Sequence, residues 1–473
     1  MNNTFDVVST LIANKLEIDA QSITPQSKLT ELGLDSLDIF DIIFQAEDKY
    51  GIKVPNPRAR IMQAPRRVVI TGAGIVSPLG NSLQTFQKNV LTGVSGIGRL
   101  QADFCDQLET RIAAQCHFEA EQHFSRQELA LLDRISQFAL YSAEQAVQQS
   151  GLDFSRLNPS AVGCFIGTGM GGATATEEGY ARLFKDGLNR LKPFTVLMAM
   201  NNAAASQIAT KYGLAGPNIT ISTACSSAAV AIGEAAKQIA FGRCEAALAG
   251  GSEALLTFGT IKAWEALRTL AKEDTQDASA SCKPFSADRS GLVLGEGAAM
   301  FVLETYEHAT ERGAPILAEI AGYGASNDFS HMTQPSVEGQ ALSMQNALND
   351  ASLRADQIGY INAHGTGTQL NDVTETQAIK RVFGHAAMQT PVSSTKSMHG
   401  HLMGAAAAVE LVATLIALQT HTLPPTKHLA KPDPACDLNY VPNSAQVVAP
   451  FEYAMSNSFA FGGTSGVLIL RKI

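Results

Sequence analysis

Apolar positions near the start of the chain recur at helical spacing. Val7, Val8, Leu11, Ile12 and Leu16 fall on one face of a 3.6-residue repeat, which predicts an amphipathic helix. A polar loop from Ala20 to Lys28 follows, and then the string LTELGLDSLDIFDIIFQAEDKYGIKVP. There Asp35 or Ser36 can cap a second helix whose apolar face includes Leu37, Phe40, Ile43, Phe44 and Tyr50. Every ionisable residue from Glu31 to Asp48 is acidic, so this helix offers a negative face to a basic partner surface.

The pattern changes near residue 62. In RRVVITGAGIVSPLG a β-branched run ending at Thr71 reads as a buried strand, with Gly72 and Gly74 expected to make the turn after it. The third glycine of a dinucleotide fingerprint is missing, and Pro78 stands where the crossover helix should continue. A similar string, ILAEIAGYGASND, spans Ile316 to Asp328 and hints at a duplicated α/β architecture. Within NITISTACSSAAVAIGEAAKQIA, Ile219 to Ser222 reads as a buried strand and Ser226 onward as a core helix of small residues.

Size and charge narrow the classes. A chain of 473 residues exceeds one compact core, so at least two folded units are expected. A net charge of -9 argues against a nucleic-acid binder. The seven cysteines show neither C-x-x-C pairs nor metal-ligand spacing and read as free thiols of a reducing compartment. The N-terminus lacks the apolar core of a signal peptide, and the alanine-rich run after His401 is interrupted by Glu410. A cytoplasmic protein without a membrane span is the expectation.

Candidate chemistry centres on Cys225, placed between a strand and a small-residue helix. A thiol there is favoured as thiolate by the helix N-terminus, and the same junction offers N–H donors to an oxyanion. A lone cysteine is more often a small core residue, and that reading stands for Cys164 and Cys244. Three further loops supply partners for Cys225. YINAHGTGTQLND carries His364, Thr366 and Thr368; STKSMHGHLMGAAAAVELV carries Lys396, His399 and His401; SNSFAFGGTSG sets Phe461 beside Gly462 and Gly463.

From Arg66 to Ile473 the motifs TACSS, NAHGTGT, KSM-x-GH-x-x-GAA-x-AVE and NSF-x-FGGT, in that order, resemble the elongating β-ketoacyl-acyl carrier protein synthases of the type II group. The resemblance implies an α/β thiolase-like fold of five αβαβα layers, with similar halves at about 66–315 and 316–473, and a homodimer or a heterodimer with a related synthase or chain-length partner. It implies that Cys225 accepts the acyl group and that His364 and His401 complete a Cys-His-His triad. Lys396 is then the supporting lysine, Glu410 the structural acid and Phe461 the gate, with the Cys225 and Phe461 N–H groups as oxyanion hole. Thr366 and Thr368 would contact pantetheine, and no metal or redox cofactor takes part. The partner is an acyl carrier protein bearing acyl and malonyl thioesters.

Residues 1–61, with GLDSL at their centre, resemble a truncated acyl carrier protein, which implies 4'-phosphopantetheine on Ser36. Four positions of the synthase unit depart from the family pattern: His399 for Thr, Ala460 for Gly, Ser465 for Asn, and Thr195 where an aromatic is expected. They point to specialised elongation of polyene or polyketide type. Competing readings are a thiolase, which needs a second catalytic cysteine, an initiating synthase, which needs Asn in place of His401, a noncatalytic chain-length partner, and a carrier–synthase scaffold.

Overall fold

The computed structural model describes residues 4–16, 18–24, 42, 45 and 65–473. The chain divides into two compact units, Met1–Pro65 and Arg66–Ile473. In the first, helix α1 (Thr4–Leu16) and a 3₁₀ turn at Ala20–Ser22 bring Ile12, Ala13, Ile23 and Ile42 together, with Leu11 and Leu16 against them. Leu11, Ile12 and Leu16 belong to the apolar face read from the sequence; the side chains of Val7 and Val8 lie outside the description. Ser36, and the acidic helix expected around it apart from Ile42 and Gln45, lie outside the described residues.

The second unit repeats one β-α-β-α-β-α-β-β pattern twice. Its first copy runs β1 (Val68–Val76), α2 (Arg134–Ser150), β2 (Val162–Gly167), α3 (Ala203–Tyr212), β3 (Asn218–Ile221), α4 (Ser227–Ala240), β4 (Ala246–Glu253) and β5 (Gly297–Thr305). The second runs β6 (Ala318–Asn327), α5 (Val337–Ala351), β7 (Ile358–Asn362), α6 (Gln369–Phe383), β8 (Val392–Ser393), α7 (Ala406–Thr420), β9 (Tyr453–Phe459) and β10 (Thr464–Arg471). Sheet order is β3-β2-β4-β5-β1 in one half and β8-β7-β9-β10-β6 in the other, the same order by rank. In both halves the second, third and fourth strands are parallel and the fifth and first antiparallel. The halves join where β1 meets β6, through Val69 opposite Glu319 and Ile70 opposite Ala318.

Helices α2 and α3 cover one outer face, α5 with α6 the other, and α4 and α7 fill the middle layer. The result is the five-layer thiolase-like arrangement. Small residues make the middle layer possible: Ala228, Ala229, Ala231, Ala235 and Ala236 of α4 and Ala406, Ala407, Ala408 and Ala413 of α7 are buried in one cluster. Residues Met403–Thr420 form an 18-residue run apolar enough, by length and composition, to cross a bilayer, contrary to the sequence expectation. Within this fold 89% of it is buried, because a central-layer helix meets protein on every side.

Two local expectations are corrected. Gly72 and Gly74 make no turn but lie inside β1, where a Cβ would meet Ala146 O and Ser142 O of α2, each at 2.0 Å. Gly322 and Gly324 of β6 do the same against α5, with Ala347 O at 2.5 Å and Ser343 O at 2.1 Å. The echo between the two strings is therefore a shared strand–helix contact that only glycine permits. The strand before Cys225 is also not buried: β3 is the edge of the sheet and Ile219 is 42% exposed.

Candidate active site

Cys225 sits in a 3₁₀ turn, Ala224–Ser226, that opens α4. Ala224 takes a left-handed φ of 50°, and the Ser227 hydroxyl ties the turn by accepting the Thr223 N–H at 2.9 Å and donating to Ala224 O at 2.6 Å. The second half builds the same turn before α7, with Met403 at φ 45°. The residue after it is Gly404, where a Cβ would lie 2.3 Å from Gly169 N. The duplication thus leaves room for a nucleophile in one half only.

The Cys225 side chain is buried beside Leu255, Ile261, Leu292, Leu294 and Met403. Burial pushes its thiol up to about 12, with Lys396 and the Phe461 N–H pulling the other way. A helix N-terminus offers at most about 2 kcal/mol, or about 1.5 pKa units. The closed site accordingly holds a thiol, not the resting thiolate that placement on the helix alone suggested.

His364, just past β7, and His401, just before α7, face the thiol. One ring nitrogen of each and Cys225 Sγ all lie within 4.8 Å of one another, and the rings are T-shaped with centroids 5.3 Å apart. Nδ1 of His401 accepts the Met403 N–H at 3.3 Å, and Nδ1 of His364 faces the Lys396 ammonium at 3.4 Å. A backbone N–H and an ammonium have only protons to give, so both rings carry theirs on Nε2. Burial first, then Lys396, holds both histidines well below the ordinary range, which leaves them neutral. A metal-bound imidazole almost always donates from its second nitrogen. Here those nitrogens meet donors, so each ring has its Nε2–H left to give.

Lys396 itself is fully buried, donating to His364 O at 2.7 Å and paired with Glu410 of α7. Burial raises Glu410 to about 7 against the pull of Lys396. His399 is not among the residues that converge on the thiol. Its ring is buried between Gly400 O (2.9 Å from Nδ1) and the Thr395 hydroxyl (2.9 Å from Nε2).

Three carboxylates that the sequence reading passed over hold these loops in shape. Glu375 of α6 accepts the N–H groups of His364 and Gly365, each at 2.8 Å. Asp372 accepts those of Thr366 at 3.1 Å, Gly367 at 3.2 Å and Phe285 at 2.8 Å. Glu253, at the end of β4, joins Gly169 N (2.6 Å) to Gly404 N (2.9 Å). The signal for the first two was present: acids at i and i+3 in a helix that opens directly after the histidine loop.

Phe461 lies in the hairpin between β9 and β10, its ring stacked on Trp264 with centroids 6.0 Å apart. Gly462 and Gly463 both have φ 85°. The loop is tied by Gly462 N to Met332 O at 2.8 Å and by Asp328 N to Gly463 O at 2.8 Å. The Phe461 N–H points at Cys225. A cavity of about 310 Å³ leads to the thiol, lined among others by Thr366, Thr368, His364, His401 and Phe461. The Thr366 and Thr368 hydroxyls stand 2.9 Å apart in its wall.

A duplicated five-layer fold with a thiol and two neutral histidines at the centre defines a decarboxylating condensing enzyme, and the chain belongs to the β-ketoacyl synthase family. Residues 65–309 match its N-terminal domain and 317–430 its C-terminal domain, while residues 6–59 match the phosphopantetheine attachment site family. The chain is 45% identical to nodulation protein E of Rhizobium meliloti (strain 1021), over 86% of this chain and 100% of that protein. To 3-oxoacyl-[acyl-carrier-protein] synthase 2 of Vibrio cholerae it is 42% identical, over 86% and 99%. Among solved structures it resembles a type II PKS ketosynthase, in complex with its acyl-carrier protein and bound to the hexaketide. The TM-score is 0.79 at 35% identity, over 86% of this chain and 100% of that one. It is an acyltransferase of the 3-oxoacyl-[acyl-carrier-protein] synthase type, acting in fatty acid or polyketide elongation and preceded by a phosphopantetheine carrier domain.

Proposed function

We propose that Cys225 accepts the acyl group and that His364 and His401 together hold the malonyl thioester for decarboxylation. The observation that carries this reading is the convergence of the Cys225 sulfur and two imidazoles within 4.8 Å. In the first half-reaction Cys225 Sγ attacks the acyl thioester carbonyl and the carrier thiol leaves with the proton that Cys225 gives up. The Cys225 and Phe461 N–H groups receive the oxyanion; no carbonyl accepts either of them among the described residues. In the second, the two Nε2–H groups bind the malonyl thioester oxygen. Carbon dioxide departs, the enolate carbon attacks the Cys225 thioester, and the sulfur is expelled as thiolate and takes a proton from solvent, since the one it gave up left with the carrier thiol. Lys396 and Glu410 position His364, Phe461 gates the cavity, and Thr366 and Thr368 contact the pantetheine arm.

The synthase domain is taken as 66–473 and the carrier segment as 1–61, with Ser36 the attachment point for 4'-phosphopantetheine. Dimerisation is supported by the edge strand β3, a template for pairing. It is supported also by large apolar side chains left exposed at Phe184, Val196 and Leu197. The similarity to nodulation protein E and to a type II PKS ketosynthase supports a specialised pathway. The seven free thiols suit a cytoplasmic location.

Intact-mass measurement after incubation with acyl-carrier substrates tests the reading. An acyl adduct that maps to Cys225 supports it, and a phosphopantetheine mass on Ser36 supports the carrier. An enzyme that condenses substrates after Cys225→Ala would overturn it.

A further inference from the structure

Three residues that line the cavity each carry a side-chain atom buried with no hydrogen-bond partner: His401 Nε2, Thr269 Oγ1 and Gln340 Oε1. The first is a donor already assigned to the substrate carbonyl. Thr269 is half-buried, and its hydroxyl can turn to suit. Gln340, in the first turn of α5, has no such freedom and is 2% exposed.

Its neighbours fix which end of the amide is free. Asn371 Nδ2 lies 3.3 Å from Asp372 Oδ1 and 3.4 Å from Glu375 Oε2, both acceptors. Asn371 must therefore turn its carbonyl to Gln340, whose Nε2 donates to it at 3.3 Å. What remains is the Gln340 carbonyl, which can only accept. A lone acceptor at such a place disfavours the malonyl carboxylate and finds no donor in a hydrocarbon chain. The donors that a carrier-bound thioester does bring are the amide N–H groups of its pantetheine arm. Asn371 lines the cavity with Thr366 and Thr368 and belongs, with its partner Asp372, to the helix that opens after them.

We propose that Gln340 is a specificity-determining residue whose Oε1 accepts a hydrogen bond from a pantetheine amide N–H, with Asn371 holding it in place. The inference rests on the reading of Thr366 and Thr368 as pantetheine contacts. Wild-type turnover of simple acyl- and malonyl-pantetheine thioesters checks that reading separately.

The experiment compares those thioesters with analogues in which the cysteamine amide N–H is replaced by an ester oxygen. Wild-type enzyme is expected to prefer the amide in kcat/KM by about five- to tenfold, mostly through KM. Gln340→Met, which keeps the bulk and removes the acceptor, is expected to abolish the preference while leaving the ester rate within about twofold of wild type. Gln340→Met that keeps the wild-type preference overturns the proposal. So does wild-type enzyme that shows no preference, a measurement that needs no variant to fold.

Discussion

Met403 donates its backbone N–H to Nδ1 of His401 at 3.3 Å, and the opposite ring nitrogen is buried with no partner. The backbone of one turn thereby sets the tautomer of a ring two residues upstream. That turn needs the left-handed φ of 45° at Met403, which a bulky side chain adopts only when packing enforces it.

In the proposed mechanism, replacing His401 by Ala removes one of the two N–H donors to the malonyl carbonyl. Acyl transfer to Cys225 is expected to survive, while decarboxylative condensation falls by on the order of a hundred- to a thousand-fold. Acyl-enzyme mass and carbon dioxide release, measured side by side, distinguish the two steps. Equal loss in both would contradict the division of labour.

Alkylation of Cys225 by iodoacetamide reports its ionisation. With the thiol pushed up to about 12, the rate in substrate-free enzyme should climb about tenfold per pH unit from pH 6 to 9 without a plateau. A plateau near neutrality would show a resting thiolate.

The Lys396–Glu410 pair is fully buried, so removing one partner strands a charge. Glu410→Leu is expected to cost about 3–5 kcal/mol in urea unfolding. The double substitution Lys396→Met with Glu410→Leu should regain most of that stability and still lack condensation activity. If the single change proves as stable as the double, the pair has no structural role.

Two adjacent glycines of the Phe461 loop should differ in tolerance. Both have φ 85°, but a Cβ on Gly463 would lie 1.9 Å from Asp328 O, whereas around Gly462 nothing stands within 4 Å. Gly462→Ala carries only backbone strain, about 1–2 kcal/mol. Gly463→Ala must displace the Asp328 segment and should lower acyl transfer at least tenfold. Equal rates in the two variants would rule out the contact.

Burial, then Lys396, lowers His399 to about 3, well under its unfolded value. Unfolded chains bind a proton at this residue below about pH 6.5 that the folded protein refuses. Its contribution is thus present above that pH and lost as pH falls toward 3, about 2 kcal/mol by pH 5. His399→Gln should lose correspondingly less stability than wild type between pH 7 and pH 5 in thermal unfolding. Parallel curves would refute it.

Much of the site was legible before any coordinates. Cys225, His364, Lys396, His401 and Phe461 each stand at the end of a strand or the start of a small-residue helix, and local pattern reveals such junctions. What local pattern cannot reveal is which residues of other segments stand behind them. Glu375 and Asp372 drew no notice in the sequence, yet both are fully desolvated and bonded to the histidine loop. The glycines of β1 and β6 misled for the same reason: a glycine signals a turn when read alone and a close helix approach once the helix is placed.

By itself the sequence marked the groups that converge, and the resemblance of its motifs to a known family implied the class of chemistry and the duplicated α/β plan. Residue type and spacing mark those groups because strands, helix starts and reactive side chains are local properties. Only the tertiary structure decided the states of those groups. Burial makes Cys225 a thiol and both histidines neutral, Met403 and Lys396 choose the proton-bearing nitrogens, and Gly404 leaves the second half without a nucleophile. Desolvation and hydrogen-bond direction depend on neighbours distant in the chain, and those neighbours exist only once the two halves have closed around α4 and α7.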